Sequence, residues 1–219
     1  MDYASRYDMS DPKIRLKADH TGRVAAISER IAVSLGLDEE ETGLAYLIGV
    51  LHDIGRFEQV RIYGTFRDAL SVNHAALSAD LLFESGMIRD YGVDENAYPL
   101  IEKAVRLHNV YRLPDSLTKR ERMFCQILRD ADKIDILRVN RETPMTQIYN
   151  LPEEAFLTSE ISDAVFQDLM AHRDVNRKNS KTGIDFMMGH IAFVFGVVYP
   201  ESLKIIKEQG YRYRSTSFR

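Results

Sequence analysis

Residues 44–57 read LAYLIGVLHDIGRF. The opening octamer has almost no polar residue, so it forms a helix buried over most of its circumference and delivers the next residues, His52 and Asp53, into the interior or the floor of a cleft. A carboxylate is almost never fully buried unless it is paired or coordinates a metal, because desolvating its charge costs several kcal/mol. A cation between the two side chains would offset that cost. The plainer alternative is that His52 caps the last helical carbonyls while Asp53 pairs with Arg56 or Arg23.

At 219 residues the chain is long enough for one domain with a sizeable core. With 29 basic against 33 acidic residues, and no basic tract of the kind that tracks a phosphate backbone, binding to duplex nucleic acid is not expected. The start, MDYASRYDMS, lacks an apolar segment after a basic one, and the longest apolar stretch, IAFVFGVVY, is about half of a membrane span of roughly 20 residues. The expectation is a cytoplasmic protein with no membrane association. Cys125 is the single cysteine, which excludes an internal disulfide and leaves only N and O donors for any metal.

Strand signals are scarce and helix-period segments many, which predicts an all-α fold: a single-domain helical bundle over residues 14–139, with a helical C-terminal extension, residues 140–219, packed on it. Helices are expected at about Ile14 to Leu35, stopped by Gly36, and Glu39 to Asp53, ended by Gly55. Others are expected at Val72 to Ser85, Pro99 to His108, and from the capping box at Thr118 to about Val139. Beyond these, the pattern suggests helices at Ile161 to His172, Ile184 to Val198 and Pro200 to Gln209. The stretch RFEQVRIYGTFRDA after Gly55, without clean periodicity, reads as a long surface loop of the kind that covers active sites.

Helical spacing puts His20 in one stripe with Leu16 and Val24, His74 with Leu77 and Leu81, and His108 with Ile101, Ala104 and Val105. Asp132 sits between Leu128 and Ile136 at the margin of an apolar face. His172 and His190 pass the same test, so periodicity alone does not choose among them. A lone histidine on such a stripe is usually a hydrogen-bonded core residue.

Order and context make the choice. His20 in KADHTGRVA, His52-Asp53 in GVLHDIGRF and Asp132 in RDADKIDIL, with His74 in SVNHAAL and His108 in VRLHNVY between them, resemble the HD superfamily of metal-dependent phosphohydrolases over about Ile14 to Val139. The resemblance implies that His20, His52, Asp53 and Asp132 bind one divalent metal and that His74 and His108 bind a second, with Asp53 bridging. The metal itself, among Mn, Fe, Co, Ni, Mg and Zn, stays open. Asp130 rivals Asp132, but the family pattern favours Asp132, and Asp130 falls roughly 200° away around the helix.

The implied activity is hydrolysis of a nucleotide or small phosphoester by metal-activated water. Besides Asp53, the candidates for catalysis are Arg56 and Lys133, each a phosphate contact or a solvated base. For substrate binding they are Arg23, Arg61, Tyr63 and Asn109, and Asp135 is a candidate for orienting a ligand histidine. His172 and His190 are left as structural. No Gly-Tyr-Pro motif occurs, so the cyclic-dinucleotide phosphodiesterase branch is not supported. A di-iron oxygenase on a similar ligand set and a nucleotide-sensing module without turnover are the alternatives.

Overall fold

The computed structural model describes residues 3–149 and 151–210, and among them there are helices and no strands. The helices are α1 (Pro12–Ser34), α2 (Glu39–Leu51), α3 (Ile54–Tyr63), α4 (His74–Ala79), α5 (Tyr98–Leu107), α6 (Lys119–Glu142), α7 (Met145–Tyr149), α8 (Glu154–Leu157), α9 (Asp163–Met170), α10 (Gly183–Ile191) and α11 (Pro200–Glu208). None is long and apolar enough to cross a membrane.

Local chemistry sets the boundaries. The Asp11 carboxylate accepts from Lys13 N at 2.8 Å, and Pro12 supplies a first helical turn that needs no N–H. Thr118 and Glu121 form the expected capping box of α6, and Gly36, at φ +73°, ends α1 in the left-handed region. After α4 the chain widens into a π-helical turn, Asp80–Glu84, with Ser85 N donating to Asp80 O.

α1 packs along α2 and α6, and α5 lies against α4 and α6. Val24, Ile31, Ile48, Leu51, Ile101, Phe124, Leu128 and Ile134 fill the space between them. The α1–α2 contact is close enough that a Cβ on Gly49 would stand 2.6 Å from the backbone of Ala25. That approach fixes the height at which α2 ends, and so where His52 is delivered.

Two expectations need correction. The stretch after Gly55 is not a surface loop but begins with α3, whose buried stripe is Ile54, Phe57 and Val60. Its period is masked because Arg56 and Gln59 also point inward, as polar residues do when they build a site. Gly55 does not stop α2 either. It lies inside α3, where a Cβ would meet Ser78 N at 2.6 Å, so it serves the close approach of α3 to α4.

The extension is tied to the bundle by polar contacts, buried at Asp130 and surface-exposed at Arg30. Asp130, on α6, accepts from Val198 N, Tyr199 N and Ser202 Oγ at 2.9, 3.0 and 2.7 Å, which caps the start of α11. Arg30 of α1 pairs with Glu201 and Glu208 of α11. Residues 211–219 of the expected extension lie outside the described residues.

Gly49→Ala is expected to cost about 1–3 kcal/mol, the range for overpacking a tight contact. A urea-unfolding midpoint equal to that of the wild type would contradict the proposed close approach.

Candidate metal centre

His52 and Asp53 occupy the corner between two helices. His52 ends α2, with its N–H still bonded to Ile48 O, and Asp53 leads into α3 with φ −110° and ψ 19°. The corner turns both side chains toward α1, α4, α5 and α6. Each of these contributes at least one further group: His20 from α1, His74 from the start of α4, His108 from the end of α5 and Asp132 from α6. The six residues, far apart in sequence, therefore converge.

All four imidazoles are fixed the same way. Nδ1 of His20 faces Asp135 Oδ2 at 2.7 Å, Nδ1 of His52 faces Gly49 O at 2.7 Å, Nδ1 of His74 faces Asp68 Oδ2 at 2.6 Å and Nδ1 of His108 faces Val105 O at 2.7 Å. An oxygen opposite Nδ1 places the proton there, so in the neutral ring each Nε2 carries a lone pair. Those lone pairs surround Asp53. Its Oδ2 lies 3.7 Å from His20 Nε2 and 3.4 Å from His52 Nε2, and its Oδ1 lies 3.6 Å from His74 Nε2 and 3.7 Å from His108 Nε2. Asp132 Oδ1 adds to the first group, 3.2 Å from His20 Nε2 and 3.9 Å from His52 Nε2.

Three of these buried atoms, His20 Nε2, His52 Nε2 and Asp53 Oδ1, have no hydrogen-bond partner. Unpaired buried polar atoms are costly, so three of them around the Asp53 carboxylate, two facing its Oδ2 and the third being its Oδ1, call for occupants that accept their lone pairs. His74 Nε2 and His108 Nε2 are 2.9 Å apart with an oxygen opposite each Nδ1, so this pair is held either by a proton shared between the two nitrogens or by a cation that both ligate. Donors from His20, His52 and Asp132, and separately from His52, Asp53 and His108, lie close enough together to share an ion. Imidazole nitrogens and carboxylate oxygens suit a divalent cation, and the chain's single thiol, Cys125, is buried in the core.

Electrostatics agree. Burial opposes ionisation of Asp53, but Lys17 and then His52 outweigh it and hold the carboxyl well below its ordinary range. Burial, then Arg56, lowers His74 to about 4, and burial, then its neighbours His74 and His52, lowers His108 to about 3. His52 goes the other way: burial disfavours its charge, but Asp53 and Asp132 raise its pKa.

A family model described as the HD domain matches residues 18–138, more than half of the chain. The chain belongs to the HD-domain family. HD domains are helical and are typically metal-dependent hydrolases, so the six converging residues stand in a fold suited to that work. No curated protein and no solved structure matches the chain. The HD match runs from α1 into α6 and ends before the helices of the extension.

Some candidates stand elsewhere in the HD domain than expected. Lys133 does not face the centre. Its ammonium pairs with Asp174 and donates to Gly196 O at 3.2 Å, because it leaves α6 on a different side from Asp132 and fastens the extension. Arg23 is occupied by Asp135, at 2.7 Å, and so braces the carboxylate that orients His20. Arg61 is spent on Glu58 at 2.6 Å on the outer face of α3, and Tyr63 is exposed at the end of that helix. Asn109 lies beside the centre but bonds to Asn73 Oδ1 at 3.0 Å. Arg56 is at the centre, Nε 3.7 Å from Asp53 Oδ1. His172 is exposed, with φ +53° and its ring against Phe195, rather than facing the core.

Sequence reasoning missed Lys17, whose Nζ lies 2.7 Å from Asp53 Oδ2, and Asp68, which orients His74. Lys17 was discoverable, one turn before His20 on the same helix face. Asp68 was not, since its role depends on Gln59 and Arg56 holding its other oxygen, each at 3.0 Å.

Asp135→Asn and Asp68→Asn should each weaken metal binding about 10–100-fold with the fold retained, the usual effect of losing the partner of a ligand histidine. Asp130→Asn should leave metal binding unchanged and lower stability. Titration of the three variants against manganese or cobalt, with thermal melts alongside, checks this, and equal metal affinity in all three would contradict it.

The metal-free protein should also lose stability on acidification. Unfolded histidines take up protons near 6.5, whereas folded His74, His108 and His190 do so only near 4, 3 and 3. The unfolded state then binds more protons in that window, with a slope of about 1.4 kcal/mol per pH unit for each such group, and among the described histidines His52 opposes it. A urea midpoint no lower at pH 5 than at pH 7 would contradict this.

Proposed function

We propose that this HD domain is a metal-dependent phosphohydrolase acting on a nucleotide or other small phosphoester, and that His20, His52, Asp53 and Asp132 hold one divalent cation and His74 and His108, with Asp53 shared, a second. The observation that carries the reading is the division of Asp53: one oxygen faces His20 and His52, the other His74 and His108. A carboxylate has two oxygens that can reach two cations, whereas an imidazole offers one nitrogen. Cations held there would lower the pKa of a bound water and hold the phosphoryl oxygens.

The reaction is balanced as ester plus water giving alcohol plus phosphate. A P–O bond forms to the water oxygen, the P–O bond to the alcohol breaks, and the departing oxygen gains the proton that the water loses. The chain's residues prepare the place. Asp135, Gly49 O, Asp68 and Val105 O keep four imidazole rings turned with Nε2 inward and remove the need to reorganise them. Arg56 is anchored through NH1 on Gln59, Phe66 O and Asp68, which leaves its buried Nε without a partner beside Asp53, suited to a phosphate oxygen. Lys17 pairs with Asp53 Oδ2, and were that oxygen to ligate a cation the ammonium would be available to a phosphate oxygen of the substrate.

The test is elemental analysis of the purified protein together with phosphate release from a panel of nucleotides and phosphoesters under added manganese, cobalt, magnesium or iron. Asp53→Ala should abolish metal-dependent release and remove bound metal while helical circular dichroism persists. Wild-type activity in that variant would overturn the assignment. By contrast, His172→Ala and His190→Ala should keep the wild-type metal content.

A further inference from the structure

We propose that a second anion site, separate from the metal centre, lies on a neighbouring side of α6 and takes a phosphate dianion, free or as the head of a phosphate monoester. The inference does not rest on the hydrolase reading and can fail without it.

A cavity of about 430 Å3 opens between α6, the connection from α5 to α6, and the segments that flank α10. Small-molecule sites usually span about 300–1,000 Å3. None of the six converging residues lines this one. On α6 it is lined by Gln126, Arg129 and Lys133, which follow one another at spacings of three and four and so share a stripe of the helix. Asp132, one residue before Lys133, is turned about 100° away and meets His20 instead.

The lining carries more positive than negative charge. Five of its residues are cationic, Arg112, Arg122, Arg129, Lys133 and Arg173, against one carboxylate, Asp174. Asp174 is already taken by Lys133, and Arg173 meets Asp168 at 2.9 Å. Arg122 donates to Pro114 O at 2.7 Å, and the carboxylate nearest to it, Asp115, is 3.9 Å away and exposed. Arg112 forms no hydrogen bond or ion pair among the described residues. Its guanidinium lies over the Tyr111 ring, 5.5 Å from the centroid.

Arg129 is the group that most requires an anion. It is 6 % exposed, and its terminal nitrogens donate only to carbonyls, among them His108 O at 3.0 Å and Tyr111 O at 3.2 Å, while its buried Nε has no partner. Carbonyls carry no net charge, and no described carboxylate stands within ion-pair distance of it. Burial pulls its pKa down, and the acidic side chains around it do not restore it. A buried charge without an opposite one is costly, and an anion in the adjoining cavity would supply it.

The donors select the kind of anion. Guanidinium forks match the several oxygens of a tetrahedral phosphate, and an excess of cations favours two negative charges over the single charge of a carboxylate. Tyr111 and Phe195, both exposed, add aromatic surface for an organic remainder.

The test is calorimetric titration of the full chain with inorganic phosphate, phenyl phosphate and acetate. Arg129 is a poor residue to replace, because it also closes the end of α5 at His108, so the deciding variant is Arg112→Gln. Arg112 is exposed and makes no bond in the fold, so this variant should keep wild-type circular dichroism and melting temperature. Its phosphate affinity should fall about 10-fold, as loss of a charge-assisted hydrogen bond implies, and Arg112→Lys should recover part of it. Arg15→Gln, which removes the same charge from the exposed face of α1, should bind phosphate as the wild type does. Asp53→Ala, which disables the metal centre, should keep the site. Tighter binding of phenyl phosphate than of phosphate would assign the site to an organic ester, and equal binding to the free ion. Unchanged phosphate affinity in Arg112→Gln would overturn the proposal, as would loss of all phosphate binding in Asp53→Ala or acetate bound as tightly as phosphate. A protein that releases phosphate from no ester would sink the hydrolase reading and leave these binding results to decide the second site.

Discussion

A carboxylate almost wholly withdrawn from water, Asp53, is the constraint around which this protein is arranged. Its two oxygens face different pairs of imidazoles, and the nitrogens of His20 and His52 that meet one of them have no hydrogen-bond partner. Such a group is tolerated only if its surroundings answer its charge. Much of the fold can be read as that answer. The corner between α2 and α3 aims it, Gly49 and Gly55 allow α1 and α4 to come near, and Lys17 sits against one oxygen with Arg56 beside the other.

The second layer matters as much as the first. Asp135 holds His20 and is itself held by Arg23 and Arg138. Asp68 holds His74 and is held by Arg56, Gln59 and, at longer range, Asn109. These carboxylates and the carbonyls of Gly49 and Val105 fix which ring nitrogen carries the proton, and hence that all four rings present a lone pair inward. The extension repeats the pattern at larger scale. Asp130 caps α11, Lys133 meets Asp174, and Asn140 meets Tyr149 and His190, so α6 carries a centre residue on one side and fastenings for the C-terminal helices around it.

Much of this was legible in the sequence because helices announce themselves. The apolar stripe of α1, the Thr118 capping box and the Gly36 stop each depend on neighbours within a turn or two, and all three occur where spacing placed them. The six converging residues were legible for a different reason, since their order along the chain resembles a known family. What spacing hid were residues defined by distant partners. α3 looked like a loop because Arg56 and Gln59 interrupt its apolar period, and their inward direction makes sense only once Asp68 is in place. Lys133 looked like a neighbour of the centre because it adjoins Asp132 in sequence, yet one residue along a helix is a turn of about 100°. Asp130 and Asp132 illustrate the same geometry, one buried as a cap for α11 and the other beside His20.

The central claim is that Asp53 lies between two cations. Anomalous difference maps from crystals of the protein grown with manganese test it most directly. The account predicts two peaks, one among His20, His52, Asp53 and Asp132 and one among Asp53, His74 and His108. A map with no peak at Asp53, or with manganese only at sites away from these residues, would contradict it.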